Sequence, residues 1–294
     1  MTPSTPAPAP LVDLHQARDV ASRAAEAAGE LLRARMTGPF EVRIKDSEHS
    51  EVDVVTDLDL ACEAVILERL GAAFPGHRVI SEEAGVVGAP DGTFTWLVDP
   101  LDGTNNVAIG MPVCAVGLAL CAGPMPVLGV VHEPVSGRTW TAVQGEGARG
   151  PDGAALRLPA RPRPGRAERP VLAWVQGHGV PRDDATAAGL KGMLDFHGGR
   201  LLQLWAPLVA WAMLARGDID GIVGYRTELI DLPAGALLAQ EAGAELRALG
   251  GGPYAAGIDL PDAARSFVAA RPDLLGRLLE TTGGASAARP AVTR

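Results

Sequence analysis

Cysteine is scarce in this sequence, and no stretch concentrates basic residues. The three cysteines, Cys62, Cys114 and Cys121, lie in apolar surroundings and form no C-x-x-C pair. This argues against a disulfide framework or a zinc cluster and indicates core residues in a reducing compartment. The chain has 26 lysines and arginines against 35 acids, a formal net charge of −9. We therefore expect neither a nucleic-acid partner nor an anionic membrane partner.

The sequence also lacks a secretory signal and an uninterrupted membrane span. Residues 1–10, MTPSTPAPAP, have no basic segment and no apolar segment, so they predict a proline-rich disordered lead. The uncharged stretch from Met111 to Val131 approaches the length of a spanning helix, but its glycines and prolines indicate two buried strands joined by a turn. We expect a cytoplasmic protein with a second loose tail at residues 285–294.

The apolar content suffices for one large domain or two packed halves, since 47% of the residues are hydrophobic and 21% are charged. Residues 145–170 are rich in glycine, proline, alanine and arginine, so we place a boundary there. The halves are then residues 11–150, which carry most candidate ligands, and residues 165–284. Apolar spacing predicts helices at 11–36, 57–74, 182–196, 206–217, 232–244 and 272–282, and strands at 52–56, 77–81, 94–98, 113–120, 127–131, 171–177, 220–224 and 266–270.

One pattern recurs among the acids: a β-rich run ends, a carboxylate follows at once, and a helix or tight turn begins. Taken singly, each acid is explained as a helix cap, a turn former or a solvated loop residue. Taken together, the repetition places the carboxylates at the carboxyl edges of sheets, where ligand sites commonly form. The acids in this pattern are Asp57, Glu82, Glu83, Asp99, Asp102 and Asp231.

The segment WLVDPLDGTNN, residues 96–106, brings two of these acids into one turn. Crowded carboxylates raise one another's pKa unless a hard cation neutralises them, and Mg²⁺ prefers such oxygen ligands. Asp99, Asp102 and the carbonyl of the intervening Leu101 can hold two metals side by side. The amides of Gly103 and Thr104 then lie at a predicted helix start, where a phosphate is favoured.

Four motifs in order along the chain carry a resemblance: VDVVTDLD, ISEEAG, WLVDPLDGTNN and IDLPAG, from residue 52 to residue 235. With EPVSGRTWTAVQGEGA at residues 133–148, they resemble the inositol monophosphatase family of metal-dependent, lithium-sensitive phosphatases. The resemblance implies an α+β fold, a layered αβαβα sandwich of two α/β halves with the site between them. It also implies a homodimer that hydrolyses a small-molecule phosphate monoester of inositol, sugar, histidinol or nucleoside type.

The resemblance further implies two or three Mg²⁺ ions and their ligands. Glu82, Asp99 and the Leu101 carbonyl would hold the first ion, and Asp99, Asp102 and Asp231 the second, while a third, weaker ion would lean on Glu82. Thr104, bonded to Asp57, would orient the attacking water, and Gly103 with Thr104 would bind the phosphate. These roles need no covalent enzyme intermediate.

The match to the family pattern weakens on the substrate side. The usual tryptophan before the last metal acid is Ile230, and the first alanine after it is Pro233. The segment usually made of small residues contains Trp205, a flat surface for a sugar or base or, as we favour here, a core tryptophan. The acid for ring hydroxyls in inositol-specific members falls, by ungapped count, on Gly224. The substrate contacts therefore stay unknown.

Two rival functions remain open at this stage. The run VVTDLDLA resembles the strand end of haloacid-dehalogenase phosphatases, in which the first aspartate, here Asp57, becomes phosphorylated. Leu60 and Ala61 follow where that motif has glycine or threonine. The other rival is a family member that binds metal and phosphate without turnover. Lys45 fits either a phosphate contact or a solvated loop residue, and the six histidines show no ligand spacing.

Overall fold

A computed structural model describes residues 12–45, 53–159 and 168–287 of the chain. The predicted lead at residues 1–10 and residues 288–294 of the predicted tail lie outside the described residues. The last helix extends to Ala287, so the prediction that a loose tail starts at residue 285 is wrong. No proline interrupts the chain between Pro272 and Pro290, and nothing in that stretch forces the helix to stop early.

The described residues alternate between short strands and helices of moderate length. The α-helices are α1 (Leu14–Arg35), α2 (Asp57–Ala73), α3 (Thr104–Ala108), α4 (Ala185–His197), α5 (Pro207–Ala215), α6 (Leu232–Glu241) and α7 (Pro272–Ala287). The strands are β1 (Val42–Ile44), β2 (Val54–Thr56), β3 (Arg78–Ser81), β4 (Gly85–Gly88), β5 (Phe94–Asp102), β6 (Ala115–Ala122), β7 (Met125–Glu133), β8 (Arg138–Val143), β9 (Gly147–Arg149), β10 (Ala155–Leu156), β11 (Val171–Gln176), β12 (Arg200–Leu202), β13 (Gly221–Tyr225), β14 (Glu245–Ala248) and β15 (Phe267–Ala270).

The strands form two main sheets and one short ribbon. The larger sheet has eight strands in the order β10-β9-β8-β7-β6-β5-β3-β4, antiparallel throughout except for the parallel pair β3 and β5. The smaller sheet has five strands in the order β12-β11-β13-β15-β14, in which β11 runs parallel to both β12 and β13. The ribbon pairs β1 with β2 antiparallel. Both main sheets are therefore mixed.

Alternate residues of a central strand face opposite sides of the larger sheet, as a period of two requires. Trp96 and Val98 of β5 belong to a buried cluster with α1 and α2, which includes the alanine-rich face of α1. Leu97, between them, belongs to a second cluster with Leu208 of α5 and Leu237 of α6. The larger sheet therefore lies between α1 with α2 on one side and α5 with α6 on the other.

The smaller sheet separates two helix pairs in the same way. Ala173 and Val175 of β11 share a buried cluster with α5 and α6. Leu172 and Trp174, which alternate with them, share another with α4 and α7. The layers are thus α1 with α2, the larger sheet, α5 with α6, the smaller sheet, and α4 with α7. This order confirms the predicted α+β fold, a layered αβαβα sandwich.

Two local predictions from the sequence are confirmed. Thr56 and Asp59, three positions apart, predict a capping box at the start of α2, and the structure contains it: the Thr56 hydroxyl accepts from the amide of Asp59, and the Asp59 carboxylate accepts from the amide of Thr56. The uncharged stretch from Met111 to Val131 contains β6 and most of β7, which are largely buried strands. No helix among the described residues is long and apolar enough to cross a membrane.

Several strands escape the sequence patterns, and three of them form sheet edges. We predict a glycine-containing loop where β4 lies, and no strand where β12 and β14 lie. These strands end their sheets, with few buried positions, and Val86 of β4 is 56% exposed. An edge strand with little buried surface shows no alternation of apolar and polar residues, so its pattern is weak.

The division of the chain into two halves stays a prediction. The larger sheet uses residues 78–156 and the smaller sheet uses residues 171–270. Residues 160–167, inside the predicted boundary segment, lie outside the described residues. The helices α5 and α6 contact both sheets, so the two halves share one central layer.

Candidate active site

A cavity of about 520 Å³ lies where elements from both sheets meet. The strands β5 and β11 end at it, and α3, α5 and α6 begin at it. This volume lies in the range of small-molecule sites. The charged and aromatic residues of its lining are Asp53, Glu82, Asp99, Asp102, Glu228, Asp231, His178, Arg182, Lys191, Trp174 and Trp205.

Four of the predicted metal ligands lie together in this cavity, and we call Glu82, Asp99, Asp102 and Asp231 the acid floor. Asp99, Asp102 and Asp231 are only 2%, 5% and 8% exposed, and the Glu82 side chain is 27% exposed. The carboxyl group of Asp99 is hydrogen-bonded to both Glu82 and Asp231. The fold therefore unites acids that are 149 positions apart, from residue 82 to residue 231.

Burial and mutual repulsion hold the acid floor partly neutral. Burial, followed by the charges of Glu82, Asp102 and Asp231, raises the pKa of Asp99 well above its usual range. Burial and the charge of Asp231 raise the pKa of Asp102, although amides of α5 oppose this shift. Burial and the charges of Glu82 and Glu228 raise the pKa of Asp231 to about 8. Such a cluster favours the binding of a cation that replaces the protons on these carboxyl groups.

The turn that joins the two aspartates of β5 is shaped by a register shift and a glycine. The ladder between β5 and β6 shifts between Asp99 and Asp102, and Oδ1 of Asp99 accepts from the amide of Leu101 at 3.0 Å. Gly103 then takes a left-handed conformation with φ +95°. A Cβ at that position would lie 2.7 Å from the carbonyl oxygen of Val113, so only glycine fits.

Asp102 also contacts the first turn of α5. Its Oδ2 accepts from the amide of Leu208 at 2.7 Å, and a second backbone bond comes from Val209. The N-cap residue of α5, Ala206, has no side chain that could satisfy these amides. The carboxylate therefore takes the place of a cap and lies at the positive end of the helix. Asp102 ties the larger sheet to the central layer.

The partner of Thr104 differs from the predicted one. Oγ1 of Thr104 lies 2.7 Å from Oδ1 of Asp59 and 2.9 Å from the carbonyl oxygen of Leu101. Asp59 is completely buried and also accepts from the amide of Thr56 at 2.8 Å. The predicted bond between Thr104 and Asp57 is therefore wrong, and Asp59 takes that place. The sequence showed Asp59 only as the second half of the capping box.

Asp57 lies on another side of α2 because successive helical residues point about 100° apart. Its Oδ2 pairs with the guanidinium of Arg35 at 2.6 Å, and its Oδ1 accepts from the amide of Glu41 at 3.1 Å. It is not part of the cavity lining. Asp57 thus connects α2 to α1 and to the segment before β1.

The interpretation of Lys45 as a solvated loop residue is wrong, while a contact with the phosphate stays a prediction. Its Nζ lies 2.8 Å from Oε1 of Glu82 and 2.7 Å from Oε1 of Glu83, and its side chain is 19% exposed. Burial lowers the pKa of Lys45, but the two carboxylates outweigh burial and raise it above its usual value. Burial raises the pKa of Glu83 to about 7. Lys45 therefore carries a positive charge to the edge of the acid floor.

Glu63 is a second residue that the sequence patterns miss. It lies on α2, is 5% exposed, and its Oε1 accepts from the hydroxyl of Ser81. The same oxygen accepts from the amides of Glu83 at 3.1 Å and Ala84 at 3.0 Å. Glu63 thereby fixes the turn that presents Glu82. Its spacing within an apparently amphipathic helix gave no signal, because a single acid on such a helix is usually a surface residue.

The acid floor fits a hard divalent cation by its donor chemistry. Among the described ranges, no three histidine, cysteine, aspartate or glutamate side chains surround a common point as metal ligands. The carboxylate oxygens of the acid floor instead bond to one another, to Lys45 and to backbone amides. The donors are nonetheless all carboxylate or carbonyl oxygens, the kind that Mg²⁺ takes, and their raised pKa values reflect negative charge in need of a counterion.

A second group of lining residues consists of aromatic, aliphatic and basic side chains, and we call it the outer wall. Trp205 belongs to it and is 60% exposed, with a left-handed backbone at φ +53°. The interpretation of Trp205 as a buried core residue is therefore wrong. The outer wall consists of Trp174, Val180, Arg182, Lys191, Trp205 and Ile230.

Comparison with known proteins agrees with this fold and this site. The sequence model of the inositol monophosphatase family matches residues 13–286. The chain belongs to the inositol monophosphatase family. Nus factor SuhB of Escherichia coli (strain K12) is 30% identical over 234 residues, which cover 78% of this chain and 84% of that protein. Inositol monophosphatase 2 of Solanum lycopersicum is 41% identical over 137 residues, covering 44% of this chain and 49% of that protein.

Solved structures of similar proteins share the overall architecture. The extragenic suppressor protein suhB from Bartonella henselae superposes with a TM-score of 0.78 at 25% identity, covering 91% of this chain and 98% of that one. Membership of the inositol monophosphatase family supports a phosphatase that acts on a small phosphate substrate. The family is generally metal-dependent.

One position carried over from the inositol monophosphatase family by ungapped count does not reach the cavity. Gly224 lies in β13, and a Cβ added to it would meet the ring of Phe267 at 2.4 Å, inside a buried cluster. The acid that lines the cavity in this part of the chain is Glu228, whose Oε1 accepts from the amide of His178 at 2.9 Å. An ungapped count could not show this, because the loop after β13 sets which residues face the cavity.

Proposed function

We propose that this protein is a Mg²⁺-dependent phosphomonoesterase that hydrolyses a small-molecule phosphate monoester by direct attack of water. The substrates considered are monoesters of inositol, sugar, histidinol or nucleoside type. The observation that carries the proposal is that the acid floor shares one cavity with Thr104, whose hydroxyl contacts the buried Asp59. Membership of the inositol monophosphatase family supports the same reaction.

In this proposal the acid floor holds the metal. Glu82, Asp99 and the Leu101 carbonyl would hold one Mg²⁺, Asp99, Asp102 and Asp231 would hold a second, and Glu82 would also help to hold a third, weaker ion. The raised pKa values of Asp99, Asp102 and Asp231 support the assignment, because a bound cation would relieve their repulsion. When bound, Mg²⁺ lowers the pKa of a water molecule and neutralises charge on the phosphoryl oxygens.

The water-orienting role belongs to Thr104 with Asp59 in place of Asp57. Asp59 has a fixed position, because its other oxygen accepts from the amide of Thr56. When the Thr104 hydroxyl donates to Oδ1 of Asp59, an oxygen lone pair of Thr104 is left to accept a proton of the attacking water. The pair therefore orients the water without taking up a covalent bond.

The phosphate is proposed to bind at the start of α3. The amides of Gly103 and Thr104 come before the first intrahelical hydrogen bonds and have no acceptor within the helix. Both residues line the cavity, within a few residues of Asp99 and Asp102. A phosphoryl group bound there would lie next to the acid floor, where the cations reduce repulsion between the two. The proposal also includes three family properties: inhibition by lithium, a homodimer and a cytoplasmic location.

The test uses the purified full-length chain and a panel of inositol, sugar, histidinol and nucleoside monophosphates. We expect phosphate release that requires Mg²⁺, stops on chelation and is inhibited by lithium. The matched control is Asp99→Asn, which removes the carboxylate shared by both proposed metal positions and should lose activity. Absence of phosphate release from the whole panel, with either Mg²⁺ or Mn²⁺, would contradict the proposal.

The rival functions make different predictions in the same experiment. An aspartyl-phosphate mechanism needs Asp57 at the phosphate, but its side chain is bonded to Arg35 and the amide of Glu41 outside the cavity. Rapid acid quench with labelled substrate should accordingly trap no phosphoenzyme. A non-catalytic member would bind Mg²⁺ in calorimetry yet release no phosphate. The similarity to proteins named Nus factor SuhB keeps that second rival in the comparison.

A further inference from the structure

Trp205 combines two features that each cost stability. Its side chain is 60% exposed although it is the largest apolar side chain available, and its backbone is left-handed at φ +53°. A left-handed conformation is rare for a bulky residue and costs about 1–2 kcal/mol. Strained residues of this kind cluster at ligand sites, where the surrounding structure holds them in place. Trp205 lines the same cavity as the acid floor.

The backbone on both sides of Trp205 is fixed by residues next to the acid floor. The amide nitrogen Nδ2 of Asn106 donates to the carbonyl oxygen of Leu204 at 2.6 Å. The carboxylate of Asp102 accepts from the amide of Leu208 at 2.7 Å. Asn106 is 1% exposed, so the first of these bonds is buried. The two anchors hold Trp205 in its strained conformation and set its position relative to Asp102.

The outer wall suits a flat, partly apolar group. Val180 and Ile230 give it apolar surface, which fits the face of a ring better than the hydroxyls of a polyol. Arg182 and Lys191 also line it, and in the part of the chain that the structure describes neither forms a salt bridge. The Nζ of Lys191 lies 5.8 Å from the ring centroid of Trp174, and the two positive charges favour an anionic ligand that carries a ring.

We propose that the leaving group of the substrate carries a planar aromatic ring, such as the base of a nucleoside monophosphate, and that this ring stacks on the indole of Trp205. The inference rests on the proposed function for its hydrolytic part. The ring lies on the outer wall while the phosphate lies at the acid floor, so one ligand spans the cavity. Stacking of a base on an aromatic side chain is sequence-tolerant, since every base has a flat face.

The test compares two substrates that differ only in the ring, adenosine 5′-monophosphate and ribose 5-phosphate. We expect the parent to favour the nucleotide in kcat/KM by about tenfold or more, the effect of one stacked base. Trp205→Ala should reduce this ratio to near one, and Trp205→Phe should retain most of it. The matched control is Phe196→Ala, since Phe196 is 82% exposed on α4 and lies outside the cavity lining. A parent ratio near one, or an unchanged ratio in Trp205→Ala, would overturn the proposal.

A second measurement separates ring binding from hydrolysis. Adenosine is added in the presence of a chelator, and the tryptophan fluorescence is recorded for the parent, Phe196→Ala and Trp205→Phe. We expect quenching in the first two proteins and its loss in the third. Quenching without hydrolysis of any substrate would contradict the proposed function and support the ring site. Hydrolysis with neither quenching nor ring preference would support the proposed function and contradict the ring site.

An alternative partner for the indole of Trp205 is a second copy of the chain. Sedimentation of the parent and Trp205→Ala distinguishes the two possibilities. We expect the same oligomeric state for both proteins. Dissociation of Trp205→Ala together with an unchanged substrate ratio would show that the indole serves the contact between copies, and would overturn the stacking proposal.

Discussion

The acid floor and the outer wall of the cavity differ in how firmly they are built. The floor aspartates are at most 8% exposed, and Asp99 and Asp102 each accept a hydrogen bond from a backbone amide. On the outer wall, Trp205 is 60% exposed and strained. Arg182 and Lys191 form no salt bridge within the described residues. The floor is thus tied to the fold through its own carboxylates, whereas Trp205 is held through the backbone on either side of it.

This difference indicates how one fold can keep a reaction and change a substrate. A substitution in the floor removes a hydrogen bond or leaves a buried group unpaired, which affects both chemistry and folding. A substitution of Trp205 in the wall changes an exposed side chain and costs little stability, whereas Trp174 and Val180 of the wall are buried. We therefore expect floor variants to lose turnover on every substrate and wall variants to change the choice between substrates.

The largest expected effect concerns Thr104 and Asp59. Thr104→Ala and Asp59→Asn should each lower kcat by about 10²- to 10⁴-fold, the range for a positioned acid–base group. The loss arises because the attacking water is no longer oriented, so raising the Mg²⁺ concentration should not restore activity. Turnover is measured against Mg²⁺ concentration, with circular dichroism to confirm the fold. The matched control is Asp57→Asn, two positions earlier in the same helix and outside the cavity lining.

Asp57→Asn separates the predicted pair from the observed one. We expect near-parental kcat, with a small fall in melting temperature from the lost contact between Asp57 and Arg35. If Asp57→Asn were as inactive as Asp59→Asn, the water-orienting role of the Thr104 and Asp59 pair would have to be abandoned.

The next effect concerns Asp102, which serves both chemistry and structure. Asp102→Asn should weaken the second proposed metal position and lower turnover by about 10- to 100-fold at low Mg²⁺. Raising Mg²⁺ should restore part of the activity, in contrast to Thr104→Ala. The measurement is the Mg²⁺ concentration at half-maximal turnover, with the exposed Asp91→Asn as control. An unchanged Mg²⁺ requirement would remove Asp102 from the proposed metal site.

A third prediction concerns the stability of the metal-free protein as the pH changes. The pKa of Asp231 is raised to about 8, so the fold favours its neutral form, and the stabilising contribution of that form is lost progressively as the pH rises from about 4, the usual pKa of the group, to about 8. Over this range, with chelator present, Asp231 should lower the melting temperature by roughly 3 to 5 °C per pH unit, and its effect should level off above pH 8. Mg²⁺ should remove this fall, and Asp231→Asn should reduce it while Asp91→Asn keeps it. A flat melting temperature from pH 5 to pH 8 would contradict the prediction.

The sequence reveals the floor because its acids lie next to strong local signals. Asp99 and Asp102 end an apolar run and flank a proline and a glycine, and Asp231 precedes a helix. Such short-range patterns predict where a strand ends, and strand ends gather at one edge of a sheet. The periodicities predict most of the separate helices and strands, and the resemblance to the family implies their layered arrangement. Its edge strands β4, β12 and β14 do not, because they bury little surface.

Contacts between distant segments explain what the sequence does not reveal. Asp59 and Thr104 are 45 positions apart, so nothing local distinguishes Asp59 from Asp57 as the partner of Thr104. The exposure of Trp205 depends on anchors at Asn106 and Asp102, which are about 100 positions away. Which residues form the outer wall thus depends on how distant segments pack together, and local sequence patterns do not show it.

The smallest expected effect concerns the backbone strain at Trp205 of the outer wall. At φ +53°, glycine avoids the clash that any Cβ makes, although it costs more backbone entropy on folding. Trp205→Gly should therefore be more stable than Trp205→Ala by about 1 kcal/mol, or roughly 2 to 4 °C in melting temperature. The control is the same pair at Phe196, an exposed residue in the last turn of α4, where glycine should be less stable than alanine by up to about 1 kcal/mol. The order of stability should thus reverse between the two sites. If Trp205→Gly were less stable than Trp205→Ala, the backbone at Trp205 would be unstrained, and the contrast between a firmly bonded floor and a strained wall would lose its main support.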